Sequence, residues 1–252
     1  MRVATFNILH GRCPEDDEVH VDRFARAVEA LDADVLALQE VDRNQPRSRN
    51  ADLTSVAAEA MGAPHHRFVA ALSGSPGSTW LAATGDEQPD DAAYGIALLS
   101  RYPLTAWQVV RLPAVPARVP IRFGGRVLPT WVHDEPRVAV AADVDTPAGP
   151  LTAVTTHLSF VPRWNRHQLR LLVRALARRH RPLLLTGDLN MDAATAARVS
   201  GLRSLAARLT FPADHPREQL DHVLVDGALE SRSADAVRLP VSDHRALYVD
   251  LD

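Results

Sequence analysis

Short apolar runs that end in polar or charged residues recur along this chain of 252 residues, and they constrain its fold more than any other feature. In the clearest case, residues 183–185 are followed by the sequence TGDLN, which places Asp188 and Asn190 where a buried strand meets solvent. In extended backbone these two side chains point the same way, so both would face one substrate atom. Taken alone, TGDLN is also typical of a turn followed by a helix cap, with no functional role.

Five further segments repeat this arrangement of an apolar run joined to polar residues. The polar residues are Asn7, Glu40, His157, Asp221 with His222, and Asp243 with His244. A carboxylate at the end of a buried strand is costly unless it is paired or binds a cation. Any one of these segments, taken alone, also has an ordinary structural explanation. Because a barrel or sandwich gathers strand ends that are distant in sequence, the whole set predicts one shared site.

Together with YGIALLSRYPL at residues 94–104, these segments resemble, in content and order, those of the endonuclease/exonuclease/phosphatase superfamily, which includes DNase I-like nucleases, sphingomyelinases and inositol polyphosphate phosphatases. The resemblance covers essentially the whole chain. It implies one catalytic domain with an α/β fold, a four-layered sandwich of two stacked mixed β-sheets flanked by helices. Strand-like runs alternate with helical segments at about residues 21–31, 51–61 and 163–180, which agrees with this fold.

The resemblance also implies a metal-dependent hydrolysis of phosphoester bonds. Glu40 would bind a divalent cation, and Asn7 and Asp243 would support the cation directly or through water. Oxygen ligands without cysteine favour Mg²⁺, with Mn²⁺ as a substitute, over Zn²⁺.

The remaining polar residues are the implied catalytic groups. Asp188 would activate or orient the attacking water, and Asn190 would hold that water or a phosphate oxygen. His244 would donate a hydrogen bond to the phosphoryl group, and Asp221 would fix its tautomer and favour its protonated form. His157 would contact the opposite side of the phosphate. In DNase I-like enzymes this histidine has a glutamate partner, and no counterpart is evident in the sequence.

Three more residues are candidates for binding substrate. Arg137 begins a strand that is predicted to run toward the same site, where a guanidinium would clamp a phosphate through two hydrogen bonds. The alternative for Arg137 is an exposed arginine at a strand end. Tyr94 opens the segment at residues 94–104, and Trp131 lies in the proline-rich segment 112–136, which is either a substrate-contacting rim or a stiff surface loop. The segment 73–91 is rich in Gly, Ser, Pro and Asp and is predicted to be a mobile loop.

The composition is that of a single enzyme domain. With 46% hydrophobic residues the chain can bury one sizeable core, and its one cysteine, Cys13, excludes an internal disulfide. The first residues have the pattern of a strand rather than of a signal peptide, and no apolar stretch approaches the roughly 18 residues that span a bilayer. We therefore expect a monomer in the cytoplasm.

The net charge of −3 gives no general attraction to nucleic acid. A phosphorylated small molecule, lipid headgroup or sugar is therefore favoured as the substrate, and a DNA or RNA nuclease is the alternative. A hypothesis of a different class is a catalytically inactive scaffold that keeps the fold in order to bind a partner. The joint presence of all the polar site residues favours the enzyme.

Overall fold

The computed structural model of the chain describes residues 1–121 and 130–252. Within these residues the strands, numbered β1 to β17 in chain order, are Arg2–Asn7, Arg12–Cys13, Glu18–Val19, Val35–Arg43, His65–Gly74, Trp80–Ala82, Ala93–Ser100, Leu104–Leu112, Arg118–Ile121, Thr130–His133, Arg137–Thr146, Gly149–His157, Leu183–Asp188, Arg203–Ser204, Asp221–Asp226, Ser231–Val237 and Ala246–Leu251. The helices α1 to α4 are Val21–Leu31, Leu53–Met61, Trp164–Ala175 and Ala193–Ser200.

The ends of the helices follow from local chemistry. Helix α1 has the predicted bounds. Helix α2 begins two residues later than predicted because the side chain of Asp52 accepts hydrogen bonds from the backbone N–H groups of Thr54 and Ser55, which makes Asp52 the N-cap. Helix α3 ends five residues earlier than predicted. After Ala175 the helical hydrogen bonds give way to tighter turns, in which the backbone N–H groups of Ala177 and Arg179 donate to the carbonyls of Arg174 and Leu176.

Two large mixed sheets form the centre of the molecule. The first sheet has the strand order β16-β17-β1-β4-β7-β5-β6, and the second has the order β14-β15-β13-β12-β11-β8. Strand β1 is parallel to β4 and β12 is parallel to β13, whereas the other neighbours in these sheets are antiparallel. The two sheets pack face to face through one apolar core, to which Val3 and Val35 contribute from the first sheet and Val140 and Leu184 from the second.

The outer faces of the sheets are covered by helices. Leu36 and Leu38, which alternate with Val35 along β4, pack with α1 and α2. On the second sheet Leu185 packs with α3 and α4. Burial on both faces explains why these strands are continuous apolar runs rather than alternating ones. The predicted four-layered α/β sandwich is confirmed.

Two segments between the main strands contain structure that the sequence did not indicate. The segment 73–91, predicted as a loop, includes β6, which pairs with the end of β5. The proline-rich segment 112–136 contains the antiparallel pair β9 and β10. Two of its arginines, Arg122 and Arg126, lie outside the described residues. None of the described helices combines the length and the hydropathy that a membrane crossing requires.

Candidate active site

Strand ends from both sheets meet at one cleft. Asn7 ends β1, His157 ends β12, Asp188 ends β13 and Asp221 begins β15. In the second sheet His157 pairs with Asp188 and Asp188 with Asp221, so three polar side chains lie on adjacent strands. Asn7 joins the sheets, since its Nδ2 donates to Oε1 of Glu40 at 3.1 Å and to Oδ2 of Asp188 at 3.0 Å. The structure therefore brings together the strand-end residues that the sequence predicted.

Glu40 reaches the cleft through a β-bulge. The pairing of β4 with β7 shifts register between Gln39 and Val41, and Glu40 has a φ of 56°, in the left-handed region. An extra residue of this kind is a usual way to redirect one side chain near an active site. Burial raises the pKa of the Glu40 carboxyl, and the hydrogen bond from Asn7 opposes this rise.

Asp188 is a buried carboxylate whose two oxygens are held separately. Its side chain is 2% exposed. Oδ2 accepts from Asn7, and Oδ1 accepts from the backbone N–H of Asn190 at 2.9 Å. Burial, with the nearby charge of Asp221, raises the pKa of Asp188 to about 7 against the opposing effects of His244 and Asn7. The carboxylate therefore changes protonation near neutral pH, as a general base should.

Asn190 lies beside Asp188, but not as predicted. It has a φ of 50°, so TGDLN is extended only as far as Asp188 and then turns. The turn is closed by the hydrogen bond to Oδ1 of Asp188, which is the ordinary local chemistry of aspartate. The Nδ2 of Asn190 donates to the carbonyl of Leu158 at 2.9 Å. The segment therefore contains the turn that the sequence offered as one interpretation, and this turn places Asn190 beside Asp188 at the cleft.

His244 and Asp221 form a buried charged pair. Nδ1 of His244 donates to Oδ2 of Asp221 at 2.8 Å, and Nε2 lies 3.8 Å from Oδ2 of Asp188. Burial lowers the pKa of His244, but the charge of Asp221 and its hydrogen bond outweigh this effect and raise the pKa to about 10. The ring of Phe211 packs against the imidazole, with 4.8 Å between the ring centroids. At neutral pH His244 is therefore a cation with one free N–H group.

His157 is neutral. Its Nδ1 lies 3.3 Å from Nη1 of Arg137, and its Nε2 lies 3.2 Å from Nδ2 of Asn190 and 3.5 Å from Oδ2 of Asp188. Burial, followed by the charges of Arg137 and His244, lowers the pKa of His157 well below its usual value. The side chain against Nδ1 is thus an arginine where DNase I-like enzymes have a glutamate, and a proton on both ring nitrogens is disfavoured.

Arg137 is buried at the site rather than exposed at a strand end. Its side chain is 5% exposed, and Nε lacks a hydrogen-bond partner among the described residues. Its Nη2 lies 3.9 Å from Oε2 of Glu135, whose Oε1 accepts from Nε1 of Trp80 at 3.2 Å. Trp80 packs against Tyr94 at 5.7 Å between ring centroids. The ring of Trp131, in contrast, is 62% exposed, and Trp131 does not line the cavity in the described part of the chain.

The cleft opens into a cavity of about 730 Å³. Its polar lining includes the predicted residues Asn7, Glu40, Tyr94, Arg137, His157, Asp188, Asn190 and His244. Sequence reasoning missed Glu135 and the apolar residues Phe160 and Phe211, which also line it. The proximity of Glu135 to Arg137 in sequence was an available signal. The two phenylalanines lie outside any strand or helix, so no periodic pattern marks them.

The donor set fits a hard divalent cation. Glu40 and Asp188 are carboxylates whose pKa values are raised by burial, and both accept a hydrogen bond from the side-chain amide of Asn7. A bound cation would compensate for the hydration that the two charged carboxylates lose in the cleft. Oδ1 of Asp221 is buried without a hydrogen-bond partner in the described residues. Ligand atoms of Asp188, Asp221 and His244 also lie within 4.8 Å of one another, but the charged hydrogen bond between Asp221 and His244 occupies that pair.

Asn7 and Asp243, which were predicted to support the cation, lie in different places relative to the cleft. Asn7 presents its NH₂ group to the carboxylates, while its Oδ1 accepts from the backbone N–H of Leu9 at 3.1 Å. As placed, Asn7 positions the carboxylates rather than offering an oxygen. Asp243 lines a neighbouring depression instead of the main cavity, yet its charge acts on Glu40 and raises the pKa of that carboxyl.

This combination of fold and cleft defines a class of enzyme, the phosphoester hydrolases, because buried carboxylates beside fixed cations are what hydrolysis of an anionic ester requires. The chain belongs to the Endonuclease/Exonuclease/phosphatase family, whose model matches residues 4–244. Enzymes of this family hydrolyse phosphoester bonds and generally depend on a metal ion.

Several solved structures share the fold. The endonuclease/exonuclease/phosphatase of Beutenbergia cavernae DSM 12333 superposes with a TM-score of 0.69 at 23% identity, over 100% of this chain and 71% of that one. The mannosyl-6-phosphatase of Bacteroides thetaiotaomicron VPI-5482 and the sphingomyelinase C of Streptomyces griseocarneus each reach a TM-score of 0.65 at 17% identity, over 100% of this chain and 99% of theirs. No curated protein matches the chain.

Proposed function

We propose that this protein is a Mg²⁺-dependent hydrolase, with Mn²⁺ as a substitute, of phosphoester bonds in a small-molecule, lipid-headgroup or sugar phosphate. The observation that carries the proposal is the placement of Asp188, a buried carboxylate, beside His244, whose Nε2 lies 3.8 Å from Oδ2 of Asp188 and whose Nδ1 is hydrogen bonded to Asp221. In these surroundings the pKa of Asp188 is raised to about 7 and that of His244 to about 10. At neutral pH one group can take a proton while the other stays a charged donor, which divides the base and donor roles between them.

Asp188 is the proposed base for the attacking water. Asn7 holds one of its oxygens and the backbone N–H of Asn190 holds the other, so the carboxylate cannot rotate freely. A water molecule that hydrogen bonds to this carboxylate loses its proton to Asp188 as its oxygen attacks phosphorus. The bond between phosphorus and the alcohol oxygen breaks in the same step, and the departing alcohol takes its proton from solvent. Asn190, whose Nδ2 lies 3.2 Å from Nε2 of His157, is proposed to hold that water or a phosphate oxygen.

His244 and Arg137 are the proposed partners of the phosphoryl group. Both side chains line the cavity. A hydrogen bond to Asp221 holds His244, and Arg137 lies 3.3 Å from Nδ1 of His157 and 3.9 Å from the carboxylate of Glu135. Fixed donors of this kind stabilise the charge that builds on the phosphoryl oxygens in the transition state. His157 contributes a neutral polar contact between these groups rather than a transferable proton.

Glu40 is the residue proposed to hold the divalent cation, with the charge of Asp243 nearby and Asn7 fixing the carboxylate. When bound, the cation would neutralise negative charge on the phosphoryl oxygens. Tyr94, buried at the cavity and packed against Trp80, is proposed to shape the substrate side of the site. A substrate contact by Trp131 stays a prediction.

The substrate class rests on charge and on similarity. The net charge of −3 disfavours a polyanion such as DNA or RNA. The similarity to a mannosyl-6-phosphatase and to a sphingomyelinase C supports a sugar phosphate or a lipid headgroup. The two alternatives are a nuclease and an inactive scaffold, and the following experiment distinguishes both from the proposed hydrolase.

The test is a panel of phosphoesters assayed with Mg²⁺, with Mn²⁺ and with a chelator. The panel includes sugar phosphates, glycerophosphodiesters, sphingomyelin, plasmid DNA and short RNA. We expect metal-dependent turnover of a small or lipid ester, and a loss of about 100-fold to 10,000-fold in kcat/KM for Asp188→Asn. The matched control is Asp145→Asn, an exposed aspartate near the end of β11 opposite to Arg137, which should leave kcat/KM unchanged. Turnover of DNA alone would favour the nuclease, and no metal-dependent turnover would favour the scaffold.

A further inference from the structure

Beside its polar residues, the active-site cavity has an apolar lining that the proposed chemistry does not use. Phe160, Pro162, Phe211 and Leu220 line it, together with Val132 and Pro120. Phe160 is one of the large apolar side chains that remain exposed, with 38% of its surface accessible. An apolar ring left exposed inside a concave site is a usual mark of a surface that a ligand covers.

Three separate segments supply this lining, and two of them adjoin catalytic groups. Phe160 follows His157 by three residues, between β12 and α3. Leu220 directly precedes Asp221, and the ring of Phe211 lies against the His244 imidazole at 4.8 Å between centroids. The hairpin of β9 and β10 brings Val132. The apolar surface is therefore continuous with the place where the phosphoryl group is expected.

A phosphate group alone needs only the charged and polar part of the cavity. The adjoining space that Phe160, Pro162 and Leu220 line is open to the rest of a substrate, and these side chains offer a sugar or glycerol group no hydrogen bonds. Desolvating hydroxyl groups against such a surface is costly, whereas covering the surface with apolar carbon is favourable. A cavity of about 730 Å³ also lies within the range of compact ligand sites rather than of long-chain lipids.

We propose that the cleft selects phosphoesters whose alcohol part is a compact apolar group bearing a ring, and that Phe160 is a specificity-determining residue for that group. This inference rests on the proposed function and narrows its substrate class to small-molecule esters, in place of sugar phosphates and lipid headgroups. The phosphoryl group meets Asp188, His244 and Arg137, while the ring of the alcohol covers Phe160.

The test uses esters of primary alcohols, so that the leaving oxygen is chemically alike in all of them. Ethyl, phenethyl, glycerol and dodecyl phosphates, and the methyl diesters of the same alcohols, are compared with Mg²⁺ or Mn²⁺ present. We expect kcat/KM for the phenethyl ester to exceed that for the ethyl and glycerol esters by about tenfold or more, the size of effect that an apolar contact gives in a specificity pocket.

Variants separate the contact from the chemistry. Phe160→Ala should reduce the ratio of kcat/KM between phenethyl and ethyl esters to about one, and Phe160→Leu should restore part of it. Leu81→Ala is the matched control, because Leu81 is 63% exposed and does not line this cavity. It should leave both rates unchanged.

Each other outcome has a definite meaning. Equal rates for phenethyl and ethyl esters, or a preference for the glycerol ester, would overturn the inference while leaving the proposed hydrolase intact. A preference for the dodecyl ester would overturn the inference of a compact group and indicate that the cleft binds an extended chain. A lack of turnover with every ester in both metals would instead overturn the proposed function on which the inference rests.

Discussion

At the scale of single residues, His244 shows how a neighbouring carboxylate overcomes burial. Burial disfavours the charged imidazole, yet the charge and the hydrogen bond of Asp221 raise the pKa to about 10. In metal-free protein the ring of His244 should therefore stay protonated through neutral pH and lose its proton as the pH rises through about 10. Asp221→Asn removes the raising charge, so the pKa should fall by about one unit or more. Ring proton chemical shifts in NMR spectra measured against pH report both values.

The control for this measurement lies on the same strand. Asp226 ends β15 at the opposite end from Asp221 and pairs with Arg181 instead. Asp226→Asn should leave the His244 titration in place. An Asp221→Asn titration that matches the wild-type curve would contradict the assigned cause of the raised pKa.

His157 makes a second prediction at this scale. Burial and the charges of Arg137 and His244 lower its pKa well below the usual value, so the neutral form is favoured at neutral pH. His157→Gln keeps a neutral polar group, and we expect kcat/KM to fall by about 100-fold through lost positioning. The pH values at which activity rises and falls should nevertheless stay where they are in the wild-type protein. The measurement is kcat/KM as a function of pH for both proteins.

A change in the shape of that profile would point the other way. If the variant loses one limb that the wild-type protein has, His157 itself titrates and acts as an acid or base. The Arg137 contact at Nδ1 argues against this, since it already supplies a positive group to one ring nitrogen.

At the scale of elements, the close pairing of β12 and β13 explains why a glycine, Gly187, precedes Asp188. Gly187 has a φ of 134°, and a Cβ atom there would lie 1.9 Å from the carbonyl oxygen of Thr156 on the neighbouring parallel strand. The close pairing of β12 and β13 that sets His157 beside Asp188 therefore requires no side chain at this position.

Gly187→Ala should lower the free energy of unfolding by more than about 3 kcal/mol, because backbone atoms have to move apart. The matched control is Gly149→Ala. Gly149 has a comparable φ of 113°, but a Cβ atom at this position would have no atom of the described residues within 4 Å, so the variant tests backbone strain without a clash. Urea denaturation of the three proteins measures the difference. Equal losses in both variants would show that strain rather than close strand pairing dominates.

The elements also determine what the sequence could reveal. Asn7, His157, Asp188 and Asp221 could be predicted because each lies at the end of an apolar run, and strand ends converge in a sandwich. The way in which the Glu40 side chain reaches the cleft could not be predicted, because a bulge in β4 is not visible in an otherwise continuous strand pattern. The four layers were implied by the resemblance to the superfamily, and the alternation of strands and helices agreed with them.

The parts that sequence reasoning missed share a physical cause. Phe160 and Phe211 lie in connections, where side-chain direction depends on tertiary packing rather than on a periodicity of two or 3.6 residues. Strand β6 is short, and its pairing partner lies across a turn rich in Gly, Ser and Pro, which obscures the strand pattern. Arg137 was placed correctly as a candidate, but its contact with His157 required the register of β11 against β12.

At the scale of the whole molecule, the site is assembled from both sheets. Asn7 and Glu40 come from the first sheet, and Asp188 and Asp221 come from the second. The hydrogen bonds from Asn7 to Glu40 and Asp188 join carboxylates that belong to different layers. A ligand that binds these carboxylates therefore ties the two halves of the fold together. It should stabilise the protein globally and not only at the cleft.

Cation binding should accordingly raise the free energy of unfolding of the whole chain. At a Mg²⁺ concentration 100 times Kd the increase should be about 2.7 kcal/mol relative to protein in chelator at matched ionic strength. Glu40→Gln should remove most of this increase, and without metal the variant should be at least as stable as the wild-type protein, because a buried charge has been replaced by a neutral amide. Urea denaturation followed by near- and far-ultraviolet circular dichroism measures both, and the two signals should shift together. Glu29→Gln, an exposed glutamate on α1, should keep the full increase. If Glu40→Gln gained as much stability from Mg²⁺ as the wild-type protein, the cation would not bind at Glu40.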